Sequence, residues 1–241
     1  MNVFEHHRAR GRYEDWAKQD CTALFPKFSN SLVTTPEITY QHHPHFDDYR
    51  GKTLMLVGGG PSANNDWGSQ EYDYLWSINH FFRNEKIKDL KVDLAMIMGE
   101  PDITSQEFLS YRDKNQTYIG FEIHDKWLNY DFDNYKNYFC MHTRFYSRLG
   151  AGARMKIFAA HLGFKSVLFT GFDGPEAIFQ GDHAFEPGKK TLPGVFQNMP
   201  LNSVSFYWKQ QYDYLWDYMA HLYPNTKFTN IGGGELYHEK A

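Results

Sequence analysis

The sequence predicts one α/β domain of Rossmann-like type, a mostly parallel sheet with helices on both faces. Three observations lead there: short, nearly continuous apolar runs, the first of them ending in glycines; a helix, tight turn and strand in immediate succession between residues 153 and 170; and a length of 241 residues, which suits a single α/β unit with a short appendage.

The apolar runs are the strands. Thr53-Leu54-Met55-Leu56-Val57 is apolar at almost every position, the pattern of a strand covered on both faces rather than one. Similar runs occur at 75–78, 93–98, 117–121 and 166–170, with a last one at 227–230. Between Gly152 and Gly163 the segment Ala153 to Leu162 is rich in helix formers and stops at a glycine. The strand at 166–170 follows at once, and Gly171-Phe172-Asp173-Gly174 follows that, which is how a parallel sheet advances. A second helix is predicted over about 206–222, where Trp208, Tyr212, Leu215, Trp216 and Met219 fall on one face and Pro224 lies just beyond. Residues 1–50 are polar, aromatic and weakly periodic, with Pro26, Pro36 and Pro44 as breaks; they are expected to form an N-terminal extension packed on a nucleotide-binding domain of residues 51–241.

Composition narrows the function classes. The formal net charge is −4 at pH 7 with scattered basic residues, so no footprint for duplex nucleic acid is present. Cys21 and Cys140 stand far apart without ligand spacing, which indicates neither a disulfide framework nor a zinc site. The N-terminus lacks an apolar signal core and no stretch of about 18 apolar residues occurs. A cytoplasmic location with no transmembrane segment is expected. Aromatic residues make up 18%, some of them among polar neighbours in 129–135, where rings either stack on a base or cover a loop.

The strongest local signal is Gly58-Gly59-Gly60-Pro61-Ser62 after the first strand. Glycines let the main chain approach phosphate oxygens, and amides at a following turn favour an anion. The loop lacks the Lys-Ser/Thr of a Walker A motif, and Ala63 replaces the last glycine of GxGxxG; a plain strand-to-loop turn is the competing reading. Gly150-Ala151-Gly152 opens the first helix, where unpaired amides attract negative charge and small residues admit a ligand or simply permit close packing. Asn79 and His80 follow the second strand and Glu100 the third, so their side chains can reach the same crevice at the carboxyl ends of the strands. Asp173 and His183 are the acid/base candidates: Asp173 ends a buried strand, and His183 lies in the polar loop beyond it, where an imidazole can take a proton from an attacking hydroxyl. Each also suits a bland role, a turn acid and a surface histidine. His42-His43-Pro44-His45 and Asp131-Phe132-Asp133 have metal-like spacing but read as a constrained turn and a surface loop, and no metal ligand is assigned.

The segments 56–62, 77–79, 150–163 and 168–173 together resemble the bacterial family 42 sialyltransferases, whose corresponding segments read Gly-Asn-Gly-Pro-Ser, an Asn after the second strand, a Ser-Gly-containing helix start and a strand ending Gly-Ile-Asp. They are also similar to the 6-hydroxymethylpterin pyrophosphokinase-like family. The first resemblance implies that Gly58, Gly60, Pro61, Ser62 and Asn79 line a site for a CMP-activated sugar, that Gly150 to Gly152 approach its phosphate or ribose, and that no cofactor or metal is required. It implies a transferase that moves a sialic-acid-like sugar to a hydroxyl acceptor. Two departures stand out: Gly59 occupies the place of the family's Asn, and 202–207 hold no histidine where the family has its base, which leaves His183 as its replacement. The second resemblance implies Mg²⁺-dependent diphosphate transfer from ATP, with Glu100 or Asp173 holding the metal. A nucleotide-binding module without catalysis, and a homo-oligomer, stay open.

Overall fold

The computed structural model describes residues 43–98, 103–122, 135–141, 143, 145, 149–174, 183–186 and 200–233. Seven strands form its sheet: β1 (Thr53–Val57), β2 (Tyr74–Ile78), β3 (Leu94–Ile97), β4 (Tyr118–Glu122), β5 (Tyr138–Met141), β6 (Ser166–Thr170) and β7 (Lys227–Asn230). Every neighbouring pair is parallel, in the order β5-β4-β3-β2-β1-β6-β7. Among the described residues three α-helices accompany them, α1 (Gln106–Asn115), α2 (Ala151–His161) and α3 (Leu201–Leu222).

Strands need two covered faces to be apolar throughout, and the packing supplies both. Leu54, Leu56, Trp76, Met96 and Phe169 pack toward α2 and α3, while Met55, Val57, Leu75, Ala95 and Ile97 pack toward Phe108 and Tyr111 of α1. The α/β architecture with helices on both faces is therefore the observed one.

Three elements differ from the sequence expectation. The helix α1 was not anticipated, because its surface is polar and only Phe108 and Tyr111 are buried; a Ser105 side chain accepting from the Phe108 N–H starts it, and Gln116 at φ 53° ends it in the left-handed region. The strand β5 was also unanticipated. It is four residues long at the sheet edge, too short for periodicity to register. The helix α3 begins at Leu201 rather than near 206, after Pro200 as its cap residue.

The chain steps outward from β1 to β5 and then returns across β1 to place β6 on its other side. The strand order reverses there, so the carboxyl ends of β1 and β6 frame the crevice in which open α/β sheets bind ligands. Gly58 and Gly171 are the residues that leave those two strands.

Most of the expected N-terminal extension, residues 1–42, lies outside the described residues. Its last part is a 3-10 turn, Pro44–Tyr49, whose Phe46 and Tyr49 are buried in the core. The Tyr49 ring stacks on Phe164 at 5.1 Å and meets Trp76 edge-on at 5.3 Å. His45, from the apparent metal run, hydrogen-bonds the Tyr49 hydroxyl at 3.1 Å and stacks on Tyr118. Truncating Tyr49 to Ala is expected to cost about 3–5 kcal/mol in urea unfolding; a loss below about 1 kcal/mol would show that this turn is not part of the core.

Candidate functional site

The glycine loop is built as a continuation of the sheet. The Gly58 N–H donates to the Thr170 carbonyl and the Gly60 N–H to the Gly171 carbonyl, each at 2.8 Å, so β1–β6 pairing persists beyond both strands. Glycine is required at this join. A Cβ on Gly171, which sits at φ 75°, would strike the Gly58 carbonyl oxygen.

Ser62 closes the join. Its hydroxyl accepts from the Gly171 N–H at 2.8 Å and lies 3.1 Å from Thr170 Oγ1, while the Thr170 hydroxyl donates to the Ser62 carbonyl at 3.0 Å. The Ser62 N–H donates to Asp173 Oδ2 at 3.0 Å. Asp173 thus anchors the loop, and burial holds its carboxyl above the ordinary carboxylate range against the opposing pull of the Ser62 hydrogen bonds. The Ala63 N–H returns to the Gly60 carbonyl and Pro61 has none. Of the loop's main-chain donors, those of Gly58, Gly60, Ser62 and Ala63 are therefore spent within the protein.

A different donor set is available at α2. The helix starts at Gly150, φ 75° and ψ −162°, with no side-chain cap. The N–H groups of Ala151, Gly152 and Ala153 have no intrahelical acceptor by position, none of the described residues accepts from them, and all three residues are buried. A buried helix start without partners calls for a ligand or water. This start and the glycine loop converge on one object, the half-buried ring of Phe172. A Cβ on Gly58 would lie 2.8 Å from that ring, and one on Gly152 would collide with it. Phe172 therefore stands in the gap between the two corners.

On the opposite side of the glycine loop lies the second cluster. A Cβ at Gly59 would fall 2.6 Å from Cε1 and Nε2 of His183, and the Ala184 N–H donates to the Gly59 carbonyl at 2.9 Å. Histidine 183 is 8% exposed. Its Nδ1 accepts from the N–H groups of both Phe185 and Glu186, each at 3.1 Å. In the neutral ring the proton must then reside on Nε2, which makes His183 a donor toward the loop. That tautomer turns an N–H, rather than a basic nitrogen, toward the loop, and it is set by a main-chain turn that no spacing reveals.

His80 has the complementary arrangement. Its Nδ1 lies 3.0 Å from Glu186 Oε2, and Arg83 Nη1 is 3.6 Å from the other carboxylate oxygen. A carboxylate at Nδ1 orients the ring and leaves Nε2 as its basic nitrogen. Asn84 Nδ2 pins the same segment by donating to the Ala184 carbonyl at 2.9 Å. Asn79, at φ 50°, uses its side-chain oxygen to accept from the Met98 N–H at 2.9 Å, which orients its amide NH₂ as a donor for a ligand. Glu100, Asp131 and Asp133 lie outside the described residues.

Three contributors escaped the sequence reading. Gly232 after β7 touches Ser62 so closely that a Cβ there would strike its hydroxyl. Glu186 was not singled out. Lys156 was passed over as one residue of an apolar helix, although a lysine within Met155-Lys156-Ile157-Phe158-Ala159 is itself a signal.

Ser62→Ala removes the acceptor of the Gly171 N–H and the partner of Thr170. A loss of about 1–3 kcal/mol is expected in urea unfolding; an unchanged midpoint would mean the network does not hold the join.

Among the described residues no helix is long and apolar enough to cross a membrane. No family model matches the chain, and no curated protein matches it. Among solved structures it is similar to the sialyltransferase CstII from Campylobacter jejuni in complex with a substrate analogue, cytidine-5'-monophosphate, with a TM-score of 0.46 and 14% identity over 75% of this chain and 79% of that one. A likeness of that size concerns the course of the chain and assigns neither ligand nor residue.

Proposed function

We propose that the chain is a glycosyltransferase-like enzyme that moves a sugar from a nucleotide-activated donor to a hydroxyl acceptor. The observation that carries this reading is the buried, uncapped start of α2 at the point where the strand order reverses. Three main-chain donors at the positive end of a helix are suited to the phosphate that leaves when the bond from sugar to phosphate breaks. The acceptor oxygen attacks the anomeric carbon, and its proton passes to a base. No metal is needed where amides carry the leaving charge.

Among the two histidines near the loop, His80 supplies the base in this scheme, since Glu186 orients it through Nδ1. His183 supplies an Nε2–H donor beside Gly59. Cytidine monophosphate is the nucleotide that the sequence resemblance implies, and a sialic-acid-like sugar the group transferred. Because Phe172 fills the gap between Gly58 and Gly152, the donor enters only when that ring swings aside.

A second reading has its own observation. The spent amides of Gly58, Gly60 and Ser62 equally suit a nucleotide-binding module in which the glycine loop is an internal tie and no transfer occurs.

Calorimetric titration with CMP, CDP, UDP, GDP and ATP, with and without Mg²⁺, separates the readings when paired with donor hydrolysis assays. Metal-independent CMP binding that tightens at least five-fold in Phe172→Ala is expected. For turnover, His80→Ala is expected to lower kcat by about 10²–10⁴-fold with nucleotide affinity little changed, and His183→Ala to lower it less. CMP binding without any donor cleavage would favour the module. Preference for Mg²⁺-ATP would overturn the glycosyl-transfer reading.

A further inference from the structure

Lys156 is the one lysine among the described residues with no exposed surface, and its amino group has no hydrogen-bond partner. Two aromatic rings face it: Nζ lies 4.3 Å from the centre of the Phe169 ring and 3.8 Å from that of Phe172. Burial alone pushes its pKa down to about 7. A methionine would fill this space without the cost of a desolvated amine, so packing does not explain the residue.

Position explains it. Lys156 follows Gly152 by four residues on α2, so both occupy one face of the helix, and helical side chains lean toward the N-terminus. The lysine stem therefore runs back toward the unpaired amides of Ala151, Gly152 and Ala153, across a residue with no side chain. The Phe172 ring lies between: it touches the amino group on one side and the Gly152 position on the other. That ring sits between Gly171 at φ 75° and Gly174 at φ 81°, a two-residue segment bracketed by left-handed glycines. At the same helix start, Arg154 Nη1 donates to the Gly150 carbonyl at 3.0 Å. The other titratable groups at this corner are Asp173, whose carboxylate holds the Ser62 N–H, and Tyr212 of α3, whose hydroxyl is pushed up by burial and then by Asp173.

We infer that Lys156 is an anion-binding residue, its amino group completing with the α2 amides a site for a phosphate group once Phe172 swings out. The inference rests on the nucleotide reading of this corner and names the side chain that reads the phosphate. In the absence of ligand the Phe172 ring faces the amine; with ligand, phosphate oxygens replace the ring.

The test is titration of the full chain with CMP and, separately, with inorganic phosphate, using wild type, Lys156→Met, Phe172→Ala and the double variant, with melting temperatures recorded for each. Lys156→Met is expected to weaken CMP binding at least ten-fold while melting at or above the wild-type temperature, a pair of results that a purely structural lysine would not give. Phe172→Ala is expected to tighten binding, and adding Lys156→Met is expected to abolish that gain. Parallel loss of phosphate binding identifies the phosphate group as the element read; loss of CMP binding alone identifies a nucleotide whose other parts are needed to seat it. CMP affinity unchanged within two-fold in Lys156→Met, or a lower melting temperature for that variant, overturns the assignment of Lys156 and leaves the nucleotide reading standing. No binding of either ligand by wild type and by Phe172→Ala overturns both.

Discussion

The reversal of strand order between β1 and β6 can be built in only one way in this chain: two main chains must run side by side past the ends of their strands, close enough for Gly58 and Gly60 to donate to Thr170 and Gly171. That approach excludes a Cβ at Gly171 or Gly60, the latter because it would strike the Asp173 carboxylate. Once the join is made, the Ser62 hydroxyl and the Asp173 carboxylate have fixed partners, and the residue between Gly171 and Asp173 has little choice of direction. Phe172 projects over Gly152, against Lys156. The positions of Ser62, Asp173 and Phe172 follow from the join.

This changes which atoms are asked to meet an anion. In a glycine-rich phosphate loop the loop's own amides do so, but here those of Gly58, Gly60 and Ser62 are bonded across to β6 and its turn. Among the described residues, the amides at this corner without a hydrogen bond are those of Ala151, Gly152 and Ala153 at the start of α2, with Gly59 alone in the loop. In the proposed reading the phosphate lies on the α2 side of the glycine loop, and the His80, Glu186 and His183 group stands on the other. An aromatic ring in the gap has a physical use as well: it shields a buried amine with a π face when no anion is present, which an aliphatic side chain would not.

Much of the fold was legible because burial on two faces writes itself into consecutive positions. The runs at 53–57 and 166–170 and the glycine at the end of α2 identify themselves. The helix α1 did not, since two buried residues three apart in a polar segment carry no more signal than a loop, and β5 did not, because four edge residues cannot show a period. At the site, the glycine loop and the small-residue helix start were legible as places where a main chain comes close to something. What they come close to was not. Whether an amide is spent or available depends on a partner more than a hundred residues away, as with Ser62 and Asp173. The tautomer of His183 depends on two main-chain N–H groups at 3.1 Å, and a histidine in a polar loop looks the same in sequence whether its basic nitrogen faces a substrate or its own backbone.

The central claim is that a nucleotide phosphate takes the place of the Phe172 ring at the start of α2. A crystal structure of the chain grown with CMP tests it directly. The account predicts phosphate oxygens within hydrogen-bond distance of the Ala151 and Gly152 N–H groups, with the Phe172 ring rotated out of the gap and the Gly58, Gly60 and Ser62 bonds to the β6 side unbroken. A nucleotide bound with the ring still between Gly58 and Gly152, or held by amides released from the glycine loop, would contradict it.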